Sequence, residues 1–233
     1  MIHVFQRHCV FGPNSPSWDK QQTRPKWFDR EKNFNNLQRT ISSDAALTVI
    51  FDGDPNDHFI SNYDVDIKTI SAGRENLAFH AMLEHVESLN LNDDDIVYFL
   101  EDDYIHKPGW CDILTEGFTV GGEYVTLFDH GDKYFLPQYS KLQSKIMHSK
   151  SIHWRTTPST TNTYAMKYST LIRDMHIHKR ACDIHTPGSG GYDHLKFVKL
   201  WEMDSNLISC IPGFSTTIDT CVLSPTVDWE QYL

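Results

Sequence analysis

Three adjacent acids, Glu101, Asp102 and Asp103, follow directly on the apolar run Ile96 to Leu100. Such a run suits a strand buried on both faces, although periodicity alone does not separate it from a piece of helix. In open α/β sheets ligands gather beyond the carboxyl ends of the strands, which is where these carboxylates fall. Neighbouring acids repel one another, and a hard divalent cation with oxygen ligands, Mg²⁺ or Mn²⁺, relieves that repulsion while holding a substrate's phosphates. An acidic turn is the plainer reading, since Asp is common in turns. The buried run before the acids and the Pro108-Gly109-Trp110 stop after them favour a metal site.

A second acidic turn, Asp52-Gly53-Asp54-Pro55, closes a strand expected at Ala46 to Phe51. In a parallel sheet both turns share the ligand edge, where an early Asp can accept from a base or ribose hydroxyl while the later acids take the metal. A simple tight turn is the competing reading. Further on, Arg155 to Tyr164 is dense in hydroxyls. It suits a polyhydroxylated acceptor or a leaving diphosphate, with Arg155 supplying charge-assisted bonds, and it equally suits a Thr-rich strand. His176, His178, His185 and His194 match no zinc spacing.

The elements holding these residues are expected in β-α-β order. Ile2 to Phe5 is a first strand, and Gln6 to Lys26 a long polar loop of the kind that is usually functional. Phe34, Leu37 and Ile41 mark an amphipathic helix with Asp29 as N-cap. Val65 to Ile70 is a strand, and Leu77, Ala78, Ala81, Met82, His85 and Leu89 form one helical face. A helix at Trp110 to Val120 and a strand at Tyr124 to Phe128 complete an α/β pattern, a mostly parallel sheet flanked by helices in one domain. The second half shows a strand at Ser151 to Trp154 and a helix at Tyr168 to Lys179. After the Gly188-Ser189-Gly190-Gly191 turn comes a helix with Tyr192, Leu195, Val198 and Trp201 on one face, then a strand at Leu207 to Ile211.

The chain has 233 residues, 39% of them hydrophobic, enough for one domain with a substantial core. A net charge of −10 argues against a general nucleic-acid surface, which needs a basic stripe. Five scattered cysteines without a Cys-x-x-Cys pair suggest neither a disulfide framework nor a zinc knuckle, and fit a cytoplasmic setting. The first residues lack the basic and apolar regions of a signal peptide, and no segment has the length of a membrane span. The chain could be part of a larger polypeptide.

Phe51-Asp52-Gly53-Asp54, then Gly73-Arg74-Glu75-Asn76, then the strand ending in Glu101-Asp102-Asp103, together resemble GT-A-fold glycosyltransferases with an Asp-x-Asp-type motif. The chain is most similar to the small family-2-like enzymes of bacteria and large algal viruses. Arg24-Pro25-x-Trp27-Phe28, Trp154 to Thr163, and Asp193-His194 before a helix ending in Leu200-Trp201 extend the resemblance over nearly the whole chain. It implies a nucleotide-sugar-binding half at about 1–105 and an acceptor-binding half at about 106–233, with a nucleoside-diphosphate sugar, most simply a UDP-sugar, bridged to the protein by Mn²⁺ or Mg²⁺. Asp103 is then the metal ligand. Gln6, Arg7, Asp52, Asp54, Arg74, Asn76, Glu101 and Asp102 serve the donor, and Arg155, Thr156 and Thr157 the acceptor or diphosphate. Many members add a histidine from the C-terminal segment; this chain has Ser215-Thr216-Thr217 and Asp219 there.

The activity implied is transfer of a sugar to a hydroxyl of a glycan or glycoprotein acceptor, with inversion. Inverting transfer needs a base for the acceptor proton, and Asp193, in a first helical turn, is the candidate. The helix dipole favours an Asp there without any catalytic role. Two other functions stay open: a metal-dependent nucleotidyl or phosphoryl transferase using the same acids, and a non-catalytic module that binds sugar nucleotides or glycans.

Overall fold

The computed structural model describes residues 1–10, 23–183 and 191–233. Most of the expected Gln6–Lys26 loop, His185 and the glycine turn before residue 191 lie outside them. The strands are β1 (Ile2–Cys9), β2 (Ala45–Asp52), β3 (Asp66–Ile70), β4 (Ile96–Glu101), β5 (Tyr104–His106), β6 (Tyr124–Thr126), β7 (Ile146–His148), β8 (His153–Thr156), β9 (Tyr164–Lys167), β10 (Leu207–Ile211) and β11 (Ser215–Thr217). The α-helices are α1 (Arg30–Thr40), α2 (Glu75–Ser88), α3 (Trp110–Thr119), α4 (Asp132–Phe135), α5 (Tyr168–Asp183) and α6 (Gly191–Trp201).

Nine strands form one sheet in the order β3-β2-β1-β4-β9-β6-β10-β8-β7. The half from β3 to β4 is parallel, because helices α1 and α2 carry the crossovers. β9 runs against both β4 and β6, and β8 against both β10 and β7. The sheet is therefore mixed in its second half. A separate two-stranded sheet pairs β5 with β11.

One apolar layer joins Phe5, Val97 and Phe99 to Phe79, Met82 and Leu83 of α2 and to Leu171 and Met175 of α5. The opposite layer joins Val4, Tyr98 and Leu100 to Leu37 of α1 and to Trp110 and Leu114 of α3. Covered on both faces, β4 is buried from Ile96 to Leu100, which is why its sequence shows no alternation. Asp29 caps α1 by accepting from the Lys32 N–H at 2.9 Å, as its position predicts.

Three expectations are corrected. β1 does not stop at Phe5 but continues through Gln6, Arg7, His8 and Cys9, paired with Val49 to Asp52. Its end is polar because Gln6 and Arg7 bond to Glu101 and the His8 ring packs against Phe34 and Phe59 rather than turning to solvent. Helix α2 buries Ala78, Phe79, Met82, Leu83 and Val86, whereas Leu77 and Leu89 are exposed. Helix α6 buries Lys196, Phe197 and Leu200 and exposes Leu195 and Trp201. In both helices several apolar residues lie outside the packed stripe, and a buried lysine disguised the true face of α6.

Candidate active site

The parallel strands β1, β2 and β4 end side by side at Cys9, Asp52 and Glu101. Arg7 and Glu101 are register partners, so their side chains project to the same face. Arg7 Nη2 donates to Glu101 Oε1 at 2.5 Å, and Nη1 to the Glu75 carbonyl at 2.7 Å. Arg30 Nε donates to Asp102 Oδ2 at 3.0 Å, and Arg24 Nη2 to Asp103 Oδ2 at 2.5 Å. Each of the three acids thus has its own arginine. The repulsion from which a metal was inferred is relieved by guanidinium groups drawn from β1, the segment before α1, and α1 itself.

Arg24 also donates to the Ile218 carbonyl. Its guanidinium carbon lies 4.7 Å from the centre of the Phe28 ring, and that of Arg30 lies 5.2 Å from the same ring, a cation–π arrangement. Asp103 Oδ2 accepts a further bond from Thr217 Oγ1 at 3.0 Å, because β11 pairs with β5 and carries Thr217 back to the acids. Burial pushes the Glu101 carboxyl up to about 7, against the pull of Arg7. It raises Asp102 too, opposed by Arg30.

The donors at this turn are carboxylate and hydroxyl oxygens, the kind that Mg²⁺ and Mn²⁺ take. Among the described residues no three His, Cys, Asp or Glu side chains form a metal-binding group. An ion here would rest on Asp103, with Asp102 and the Thr217 hydroxyl beside it, and complete its shell from water and substrate phosphates. The residues fit such an ion on one condition: each acid must first release an arginine.

Asp193 lies in the first turn of α6, its Oδ1 4.0 Å from Lys196 Nζ. Lys196 is buried, donates to Asn162 Oδ1 at 2.8 Å, and sits 4.5 Å from the ring centre of Tyr164 and 4.8 Å from that of Phe79. Burial pushes its ammonium down to about 8, while Asp193 pulls the other way. Asp193 is within electrostatic reach of Arg7, and Lys196 of Arg7 and Glu101. Helix α6 therefore brings both groups to the same edge as the acids.

Part of the hydroxyl run reaches this edge. Thr161 Oγ1 and Tyr104 OH are 2.6 Å apart, and Thr163 Oγ1 accepts from the Glu101 N–H at 3.3 Å. Thr156 and Thr157, the residues singled out from sequence, do not: through Ile208, Val125 and Ala165, Thr156 is level with Tyr98. Thr157 pairs through its N–H with Leu207, at the start of β10. Arg155 is buried, with Nη2 on Asp129 Oδ1 at 2.8 Å and its guanidinium over the Tyr134 ring.

The other donor-side residues hold the framework. Asp52 accepts from the N–H groups of Ala72 and Gly73 at 2.7 and 2.8 Å, fixing the turn before α2. Asp54 accepts from the Asn56 N–H, as a turn aspartate does. Asn76 donates to the Cys182 carbonyl at 2.7 Å and ties α2 to α5. Arg74 is the exposed N-cap residue of α2 and makes no capping bond through its side chain. Gln6 is buried and donates to the Glu101 carbonyl at 3.3 Å. Sequence reasoning gave no individual role to Arg24, Arg30, Asn162 or Lys196. No charge count singles out the first two among 21 lysines and arginines; they flank Phe28 in sequence, but only the fold sets them, with Arg7, against the three acids.

The chain matches no protein-family profile and no curated protein sequence. Solved structures do share its fold. The CMP:2-keto-3-deoxy-manno-octonic acid synthetase complexed with CTP aligns at a TM-score of 0.52 and 10% identity, over 91% of this chain and 92% of its own. A putative nucleotide-diphospho-sugar transferase from Desulfovibrio desulfuricans G20 aligns at 0.51 and 8% identity, over 89% of this chain and 78% of its own. Residues 1–349 of TarS from S. aureus align at 0.49 and 10% identity; this chain covers 57% of that one. The fold is the Rossmann-like fold of nucleotide-diphospho-sugar transferases.

Proposed function

We propose that this protein is a glycosyltransferase that moves a sugar from a nucleoside-diphosphate sugar, a UDP-sugar in the simplest case, to a hydroxyl of a glycan acceptor with inversion. One observation carries the reading: Arg7, Arg24, Arg30, the three acids, Asp193 and Lys196 gather at the carboxyl edge of a nucleotide-diphospho-sugar transferase fold, where α/β sheets bind their ligands. Asp193 takes the proton as the acceptor oxygen bonds to the anomeric carbon and the bond to the diphosphate breaks. Lys196 lies beside it, with Nζ 4.0 Å from Oδ1. A bound Mn²⁺ or Mg²⁺ supplies positive charge to the departing diphosphate.

Nucleotidyl transfer is the second reading, favoured by the alignment with a synthetase that was solved with CTP. Product analysis separates the two. Sugar transfer releases nucleoside diphosphate from a nucleotide sugar once an acceptor is added, whereas nucleotidyl transfer releases pyrophosphate from a nucleoside triphosphate. Pyrophosphate as the sole product would overturn the proposal.

A further inference from the structure

We propose that Arg24 and Arg30 are the diphosphate-binding residues of this edge, and that in the unliganded protein they are stored on the acids that the metal requires. The inference rests on the transferase reading and adds to it a coupling between anion and cation. Four observations support it. Arg24 pairs with Asp103 and Arg30 with Asp102, the two acids that would hold an ion here. Both guanidinium groups lie against one ring, Phe28, so they are held together as a unit. Both side chains are largely buried, at 7% and 13% exposure, which keeps them ordered before any ligand arrives. Neither arginine belongs to the sheet, whereas Arg7 is fixed in β1 by both Glu101 and Glu75.

Carboxylate and phosphate present the same paired-oxygen geometry to the guanidinium fork. A diphosphate can therefore replace Asp102 and Asp103 as the partner of these arginines with little rearrangement. The exchange takes the arginines away from two carboxylates beside an anion, which is unfavourable unless a divalent cation arrives as well. A cation arriving alone meets the converse difficulty, since it must displace Arg24 from Asp103 and leave a largely buried guanidinium without its carboxylate. Together the two ligands satisfy all four groups, so each strengthens the other's binding, and by linkage the coupling is reciprocal.

The test measures binding rather than turnover, with Mn²⁺ and inorganic pyrophosphate as probes. Free Mn²⁺ is followed by electron paramagnetic resonance, and binding of the Mn²⁺–pyrophosphate complex by tryptophan fluorescence. Arg24→Gln removes the competitor for Asp103, so Mn²⁺ alone should bind this variant at least threefold more tightly than wild type, while the complex binds at least tenfold more weakly. Arg30→Gln should weaken the complex likewise and serves if Arg24→Gln fails to fold. Mn²⁺ binding that is unchanged or weaker in Arg24→Gln would overturn the storage role. Undiminished binding of the complex in both variants would overturn the diphosphate role. Neither result touches sugar transfer by the wild type, which is read separately from nucleoside diphosphate release.

Discussion

Arg7 on β1 and Glu101 on β4 are cross-strand partners, joined by a 2.5 Å ion pair at the point where the sheet meets its ligand edge. The bond carries structural weight, because Arg7 has 8% of its side chain exposed and Glu101 24%. Arg7→Met should cost about 2 kcal/mol, the loss for breaking a buried pair reduced for the part-exposed carboxylate. Urea denaturation measures it, and the loss should grow at pH 8, where the unpaired Glu101 must ionise without help.

Asp52 holds two backbone N–H groups ahead of α2. Asp52→Ala should lower stability by about 1–3 kcal/mol, the range for leaving such donors unsatisfied. A variant as stable as wild type but with weakened nucleotide binding would place Asp52 at the nucleoside instead.

Acid should unfold this protein early. Burial pushes His8, His106 and His178 down to about 3, so each stays neutral in the native state but takes up a proton when unfolded below pH 6.5. A depressed pKa gives stability that is present above the unfolded value and is lost as pH falls toward the folded one. Each histidine then costs about 1.4 kcal/mol per pH unit between 6 and 4. Glu101, raised to about 7, acts the other way: its contribution is full below the unfolded value near 4.5 and is lost as pH rises through 7. Three groups outweigh one. His178 illustrates the mechanism: it is fully buried between Tyr124 OH, 3.1 Å from Nε2, and Tyr164 OH, 3.1 Å from Nδ1, and burial together with the nearby Lys196 ammonium opposes a second ring proton. His178→Gln should flatten the slope of urea midpoint against pH by about a third below pH 4.5, where the histidines act unopposed, and by about a half between there and pH 6, where Glu101 opposes them.

Much of this fold was legible because β4 and the parallel half announce themselves: a five-residue apolar run, acidic strand ends and a capped α1. The antiparallel strand β9 was not, because Tyr164 to Lys167 merges into α5 without a turn residue between them. The site was legible in its acids and not in its arginines. Glu101, Asp102 and Asp103 are consecutive, while Arg7, Arg24 and Arg30 come from scattered positions that only the fold assembles. Thr156 and Thr157 misled because the hydroxyl run crosses the sheet, and only its far end, from Thr161 onward, arrives at the acids.

The central claim is that transfer takes place at the carboxyl edge of β1 and β4, with Asp193 as the base. The most direct test is the rate of labelled-sugar transfer by Asp193→Asn and Thr157→Val, measured beside wild type with melting temperatures as a check on folding. Asp193→Asn keeps the shape of the side chain but cannot accept the proton, so the rate should fall by about 10²–10⁴, while Thr157→Val, half-buried and away from the acids, stays within about threefold of wild type, the scale of a change that touches no ligand. A rate for Asp193→Asn near wild type, with Thr157→Val inactive but folded, would move the chemistry off this edge and contradict the account.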